Sequence, residues 1–443
     1  MNKITNKITL FAVMLVIAVF NGCSKEPSLN LGFNTEVKPA PAFPDVSFAV
    51  ISDIHVYNPE LGSSGSAFEQ VLSSDRKLLL DSFDLLEFAI DEIIASGVNF
   101  VLISGDLTKD GEYINHIIVA DKLRRLLDAN INVYVIPGNH DVNCPHAFKY
   151  IDDRTESIAS VTEEGFAQIH GDLGYNAAIM RDNNSLSYVA ELQEGFWLLA
   201  IDSTRCRENV PGGYPYVSGK IIQETADWIA SVLREADSRG IAVMAMMHHG
   251  FMEHWKGQAK LHPDYIVEDF SRFTKFLSSW NVRAGFTGHY HANDITRADF
   301  DNGKFFYDIE TGSLVTAPCP IRYVNIIDNV MEIRSDFIID KIHPGTDFAH
   351  NAHAFVKRTV MLEASNVLKR YKVSDKDIAI ITDAVGDAFA AHYSGNEDPS
   401  LRPALDKSKL SLWGRFILSQ QKYALDGLWN DLPPPDIEAR LEF

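Results

Sequence analysis

Short clusters of Asp, His and Asn recur along this chain, each directly after an apolar run that ends in a turn-forming residue. Asp53 and His55 follow the run 47–51, Asp106 follows 99–103, and Asn139, His140 and Asp141 follow 133–136. His248 follows 241–247, and His289 and His291 follow 284–286. β-Branched runs bounded by Gly, Asp and Pro suit buried strands, and the helical stretches near 81–96, 116–129, 219–238 and 264–280 supply the crossovers between them. Side chains at the tips of successive strands can converge on one place, so the order predicts a layered α/β fold with one shared site.

The residue types say what that site would hold. Carboxylate oxygen, imidazole nitrogen and amide oxygen form a mixed hard and borderline donor set, suited to Zn, Fe or Mn rather than to Ca. No cysteine belongs to the set. Asp53-Ile54-His55 and Gly105-Asp106 are individually weak, since such residues are common in turns. Gly138-Asn139-His140-Asp141 is stronger, because a plain turn needs only the Gly and the Asn. His289 and His291, at i and i+2 of an extended segment, share one side of it. Five clusters together point to two neighbouring cations, which polarise a phosphoryl oxygen and acidify a water.

In this order the residues resemble the calcineurin-like metallophosphoesterases, whose blocks are Asp-x-His, Gly-Asp, Gly-Asn-His-Asp/Glu, an isolated His and Gly-His-x-His. The likeness spans about residues 46–320. It implies a two-sheet β-sandwich flanked by helices. It also implies a first metal on Asp53, His55, Asp106 and His291, and a second on Asp106, Asn139, His248 and His289, with Asp106 bridging. His140 would contact the scissile phosphate and protonate the leaving oxygen, and Asp141 either orients that ring or caps the following segment. His248 is taken over His249 as the ligand because it directly follows the strand, which leaves His249 to line the cleft. The segment from Gly105 to Gly111 lacks the Arg of the protein Ser/Thr phosphatases and has its Asp shifted. It is closer to the broad branch holding cyclic-nucleotide phosphodiesterases, glycerophosphodiesterases, acid sphingomyelinase-like enzymes and purple acid phosphatases, which adds a lipid headgroup to the candidate substrates. Tyr113 is too displaced to serve as the tyrosine of a purple phosphatase. The resemblance therefore implies hydrolysis of a small phosphodiester, with a phosphomonoesterase as the alternative. A surface binding protein without turnover is disfavoured, because every ligand and His140 are intact.

At 443 residues and 46% apolar content the chain can bury one large core and a smaller one. A formal charge of −20 opposes binding of a nucleic-acid polymer and favours a small phosphorylated substrate. Lys3 and Lys7 precede an apolar stretch, 8–20, too short to span a bilayer, which ends near Cys23. This resembles a bacterial lipoprotein signal: residues 1–23 are expected to direct export, with a lipid anchor on Cys23. Pro27, Pro39, Pro41 and Pro44 make 24–45 an expected tether. The catalytic domain is drawn at 46–340. Runs at 304–309, 323–327 and 330–337 lack intervening helices and predict a second sheet. From about Arg358 the apolar spacing turns helical, so 341–443 is expected to be a small C-terminal helical appendage ending at Pro433-Pro434-Pro435. The Gly/Ser-rich stretch 62–66 is either a mobile lip or a plain loop. Residues 142–185, Tyr214, Tyr216, His254 and Trp255 are candidates to frame the pocket, with core packing the commoner use of such aromatics. Cys144, Cys206 and Cys319 are too few for more than one disulfide and have no assigned role.

Overall fold

The computed structural model describes residues 28–36 and 38–443, so the expected signal and lipidation site lie outside the described residues. Two β-sheets pack face to face. The first has strand order β15-β14-β13-β1-β2-β3, formed by β1 (Val46–Ile51), β2 (Phe100–Ile103), β3 (Asn132–Val135), β13 (Pro320–Ile327), β14 (Val330–Phe337) and β15 (Glu438–Glu442). A small hairpin, β4 (Phe148–Ile151) and β5 (Arg154–Ser157), stands apart. The second sheet has order β11-β12-β10-β9-β8-β7-β6. Its strands are β6 (Ala178–Arg181), β7 (Tyr188–Gln193), β8 (Phe196–Ile201), β9 (Ala242–Met247), β10 (Ala284–Thr287), β11 (Asp294–Asp299) and β12 (Phe305–Glu310).

Strands β1, β2 and β3 run parallel, as do β8, β9, β10 and β12. Parallel strands need crossovers, and helices Ser82–Ser96, Tyr113–Asp128 and Gln223–Arg239 supply them. The strands are buried on both faces, which is why they read as unbroken apolar runs rather than alternating ones. One apolar cluster fills the space between the sheets and continues under the C-terminal helices; another lies beneath helices Gln223–Arg239 and Phe270–Ser279.

Three expectations need correction. The late strands do not form a sheet of their own: β12 joins β10 by parallel pairing, whereas β13 lies antiparallel to β1 in the other sheet. Residues 28–36 and 38–43 are not a free tether. The Asn30 N–H donates to Gln223 Oε1 at 2.8 Å, Trp280 Nε1 to Gly32 O at 2.8 Å and Arg283 Nη2 to Pro41 O at 2.6 Å, while Leu31 and Phe43 are buried. The C-terminal region is not solely helical either. After helices Phe348–Arg370, Asp375–Tyr393, Leu412–Gln420 and Lys422–Gly427, β15 returns to pair with β14 along the edge of the first sheet.

Candidate metal centre

The ligand-bearing loops leave the carboxyl ends of β1, β2, β3, β9 and β10 and meet at one edge of the sandwich. The backbone there is unusual: Asp53, His55, Asp106, His289 and His291 all have positive φ, between 37° and 74°. Non-glycine residues occupy that region rarely, and their clustering is a mark of a constrained functional site. Glycines make the close approach possible. A Cβ on Gly138 would sit 2.1 Å from Asp106 Oδ1, and one on Gly288 would sit 2.5 Å from Asp53 Oδ2.

The side chains form two groups. Ligand atoms of Asp53, His55 and His291 lie within 4.8 Å of one another, as do those of Asp106, His248 and His289. Asp106 Oδ2 stands between them, 3.5 Å from His55 Nε2 and 3.4 Å from His248 Nε2. Asn139 Oδ1 lies 3.1 Å from His248 Nε2, which brings the amide into the second group. All seven expected ligands are thus gathered, each no more than 9% exposed.

This arrangement fits two cations. Asp53 Oδ1 and His55 Nε2 are buried without hydrogen-bond partners, a costly state for polar atoms unless something else binds them. The opposite ring nitrogens are anchored: His55 Nδ1 by Thr108 O at 3.2 Å, His248 Nδ1 by Ser104 O at 2.7 Å, His291 Nδ1 by Thr316 Oγ1 at 3.1 Å. Such contacts fix the tautomer and aim the free nitrogen inward. Burial holds His55 and His289 well below their ordinary pKa, as the neutral imidazoles that ligate metals. His248 differs: against its burial, the Asp106 charge pushes it up to about 9.

His140 lies beside this pair, its ring centroid 5.1 Å from that of His55. The carboxylate that holds it is Asp110, whose Oδ1 is 2.8 Å from His140 Nδ1. Asp141, expected to orient the ring or cap the next segment, is instead fully buried and accepts the N–H groups of Gly138, Leu107 and Thr108 at 2.9–3.0 Å. It braces the two ligand loops against each other. Asp141 follows the Asn139-His140 turn, so its side chain points back into the loop and away from the cleft. Burial and the Lys77 charge pull the His140 imidazole down, but Asp106 and the Asp110 hydrogen bond outweigh them and leave it above its ordinary value. His249 does not line the cleft. It is fully buried, with Nδ1 at 2.8 Å from Ser203 Oγ and Nε2 at 2.8 Å from Val217 O.

Two residues near the centre carried no sequence signal strong enough to single out. Asp110 could have been found as the displaced Asp of the Gly-Asp block. Lys77 lies in the insertion after the first block, where no motif marks it; its side chain is nearly buried and its charge reaches His55, His140 and His291. The Gly62–Gly65 stretch is not a mobile lip: the Ala67 N–H donates to Asp152 O at 3.0 Å, and both glycines have positive φ and abut the β4–β5 hairpin. The helix Ser66–Ser74, which that stretch leads into, and the hairpin wall a cleft of about 760 Å³ that opens on Asp110 and His140. Trp255 and His254 are core residues, whereas Tyr214 is exposed and its ring lies 5.7 Å from that of His146 at the cleft rim.

No curated protein matches the chain. Solved structures of similar fold include a dimetal phosphatase from Danio rerio, 15% identical, covering 66% of this chain and 96% of its own, with a TM-score of 0.46. A purple acid phosphatase from yellow lupin (Lupinus luteus) seeds is 12% identical over 68% of this chain and 52% of its own, TM-score 0.42. A 5'-nucleotidase precursor from Thermus thermophilus is 12% identical over 73% of this chain and 59% of its own, TM-score 0.37. The profile of the calcineurin-like phosphoesterases matches residues 46–293, the span holding every ligand described above, and the chain belongs to that family.

Proposed function

We propose that this protein hydrolyses a small phosphodiester at the Asp106-centred metal pair. The observation that carries the reading is the position of Asp106 Oδ2, shared between His55 and His248 at 3.5 and 3.4 Å. Asp53, His55, Asp106 and His291 would hold one cation, and Asp106, Asn139, His248 and His289 the other. When bound, such a pair acidifies a water and neutralises charge on the phosphoryl oxygens.

The chain's own residues do the rest. Lys77, nearly buried and 3.7 Å from Asp75, lends a positive charge that reaches His55, His140 and His291. His140 keeps Nδ1 on Asp110, which leaves Nε2 to give its proton to the departing oxygen. The Asp106 charge and the Asp110 hydrogen bond favour the protonated ring. The diester is favoured over the monoester by the cleft of about 760 Å³ beside His140, which has room for a substituent on the leaving side. Export and anchoring through Cys23 are part of the same proposal, resting on the N-terminal pattern alone; membrane fractionation of a Cys23→Ala variant tests them.

Purified protein loaded with Mn²⁺ or Zn²⁺ and assayed on bis-p-nitrophenyl phosphate and p-nitrophenyl phosphate tests the reading. The diester is expected to turn over faster, Asp106→Asn to abolish turnover, and His140→Ala to lower kcat by about 10²- to 10⁴-fold. Preference for the monoester would transfer the function to phosphomonoester hydrolysis. Full metal loading with neither substrate consumed would leave a binding protein.

A further inference from the structure

A second group of ligand side chains lies buried away from the catalytic centre, where β11 meets the C-terminal region. Asp294 opens β11, His392 sits in the last turn of the helix Asp375–Tyr393, Glu397 follows that helix, and Asp436 precedes β15. None is more than 3% exposed. His392 Nδ1 contacts Glu397 Oε1 and lies 3.6 Å from Asp294 Oδ2; one ligand atom from each of these three residues falls within 4.8 Å of the others.

Asp436 is the independent observation. Its Oδ1 accepts the Ile295 N–H at 2.7 Å, but its Oδ2 has no partner, and neither has Glu397 Oε2. Asp436 packs against Gly395, two residues before Glu397, and both carboxylates line one cleft. Gly395 permits this approach: its φ is +63°, and a Cβ there would meet Asn293 O at 2.5 Å and Asp436 Cβ at 2.8 Å.

The neighbouring cations are already committed. His254 serves Asp294 at 2.7 Å, Asp308 at 3.2 Å and Glu310 at 3.5 Å. Arg322 directs its guanidinium to the backbone carbonyls of Glu310, Asp294 and Asp436 and to Ser335 Oγ, not to a carboxylate. Buried carboxylates without a counter-charge are strongly disfavoured unless protonated or metal-bound. Without a cation, burial and the neighbouring carboxylates push both Glu397 and Asp436 well above their ordinary range. His392 Nε2 is likewise buried without a hydrogen-bond partner. Glu397 and Asp436 also line a surface cleft with Asp431 and Asn430, which gives an ion a way in.

We propose that Asp294, His392, Glu397 and Asp436 bind a divalent cation, separate from the catalytic pair, that clamps the C-terminal helices and β15 onto β11. Three carboxylates and one imidazole make a closed four-residue set of the kind found in structural sites, and the nitrogen donor favours Zn²⁺ or Mn²⁺ over Ca²⁺.

Metal content of the full chain, measured by mass spectrometry after loading with Zn²⁺ and gel filtration, tests this. Wild type is expected to hold three equivalents, and the double variant Glu397→Gln/Asp436→Asn two, with hydrolysis kept and a lower Tm in excess Zn²⁺. An Asp53→Ala/His55→Ala/Asp106→Asn/His248→Ala variant, which removes ligands of both catalytic cations and spares the cluster, is expected to retain one equivalent, and this arm does not depend on the first variant folding. Two equivalents in wild type, or none in the quadruple variant, would overturn the proposal and leave Glu397 and Asp436 sharing protons instead.

Discussion

At the scale of single residues, the catalytic edge depends on atoms that are absent as much as on those present. Gly138 has Asp106 Oδ1 2.1 Å from where a Cβ would stand, and the Asp106 backbone nitrogen 2.3 Å away. Neither neighbour is a flexible chain end, so Gly138→Ala must displace the bridging carboxylate. Misplacing a reacting group by about 1 Å costs on the order of 10²-fold, and kcat/KM is expected to fall by that much while circular dichroism stays native and metal content drops. Normal metal content and kinetics in this variant would show that the loop relaxes freely. Asp110→Asn addresses a different link. It leaves the ligands intact but removes the charge holding His140 Nδ1, so kcat is expected to fall about 10- to 100-fold with KM and metal content near wild type. Loss of KM and kcat together would instead make Asp110 a part of the substrate site. That these seven side chains gather at one centre was legible in the sequence, because each belongs to a residue type that coordination would select and each sits at a strand end. Asp110 and Lys77 were not, because one carboxylate or one ammonium can reach a cleft from many positions in a loop. His248 and His249 were separable only by adjacency to the strand; the hydrogen bonds of His249 to Ser203 and Val217 now give the reason.

At the scale of elements, strands covered on both faces announced themselves and the half-exposed β15 did not. β1, β2, β3, β8, β9 and β10 were readable from continuous apolar runs, since both their faces are covered. The assignment of later strands to sheets was not, because pairing partners depend on tertiary contacts that a run of apolar residues does not encode. β15 is the clearest case: only Ala439 and Leu441 of its five residues face the core, and three prolines precede it. It nevertheless pairs with β14 from Val330↔Glu442 to Arg334↔Glu438 and covers what would otherwise be an open sheet edge. Leu441 is fully buried, so Leu441→Ala is expected to cost about 2–5 kcal/mol by urea denaturation. A change under about 0.5 kcal/mol, the usual size for a surface site, would mean that β15 is only loosely attached in solution.

At the scale of the whole molecule, the boundary drawn at residue 340 separates sequence patterns but not physical units. A single apolar cluster runs from Val50 and Leu102 between the sheets to Ile378, Leu418 and Trp429 in the C-terminal region. Trp255 packs so tightly against Gly427 that a Cβ there would lie 2.6 Å from its ring, and the Asp436 carbonyl takes a hydrogen bond from buried Arg322 at 2.6 Å. Helical periodicity revealed the helices of 341–443, but it cannot reveal that their apolar face is shared with the catalytic core rather than with one another. Removing them would expose that face and take one acceptor, the Asp436 carbonyl, from the buried Arg322, a combination of lost burial and a lost hydrogen bond to a buried charge. A chain ending at residue 340 is therefore expected to be insoluble or to bind the dye ANS as a loosely packed state, and the full chain to unfold in one calorimetric transition. Two separated transitions, or a soluble and active 46–340 fragment, would show instead that the C-terminal region is an independent unit resting on a self-sufficient enzyme.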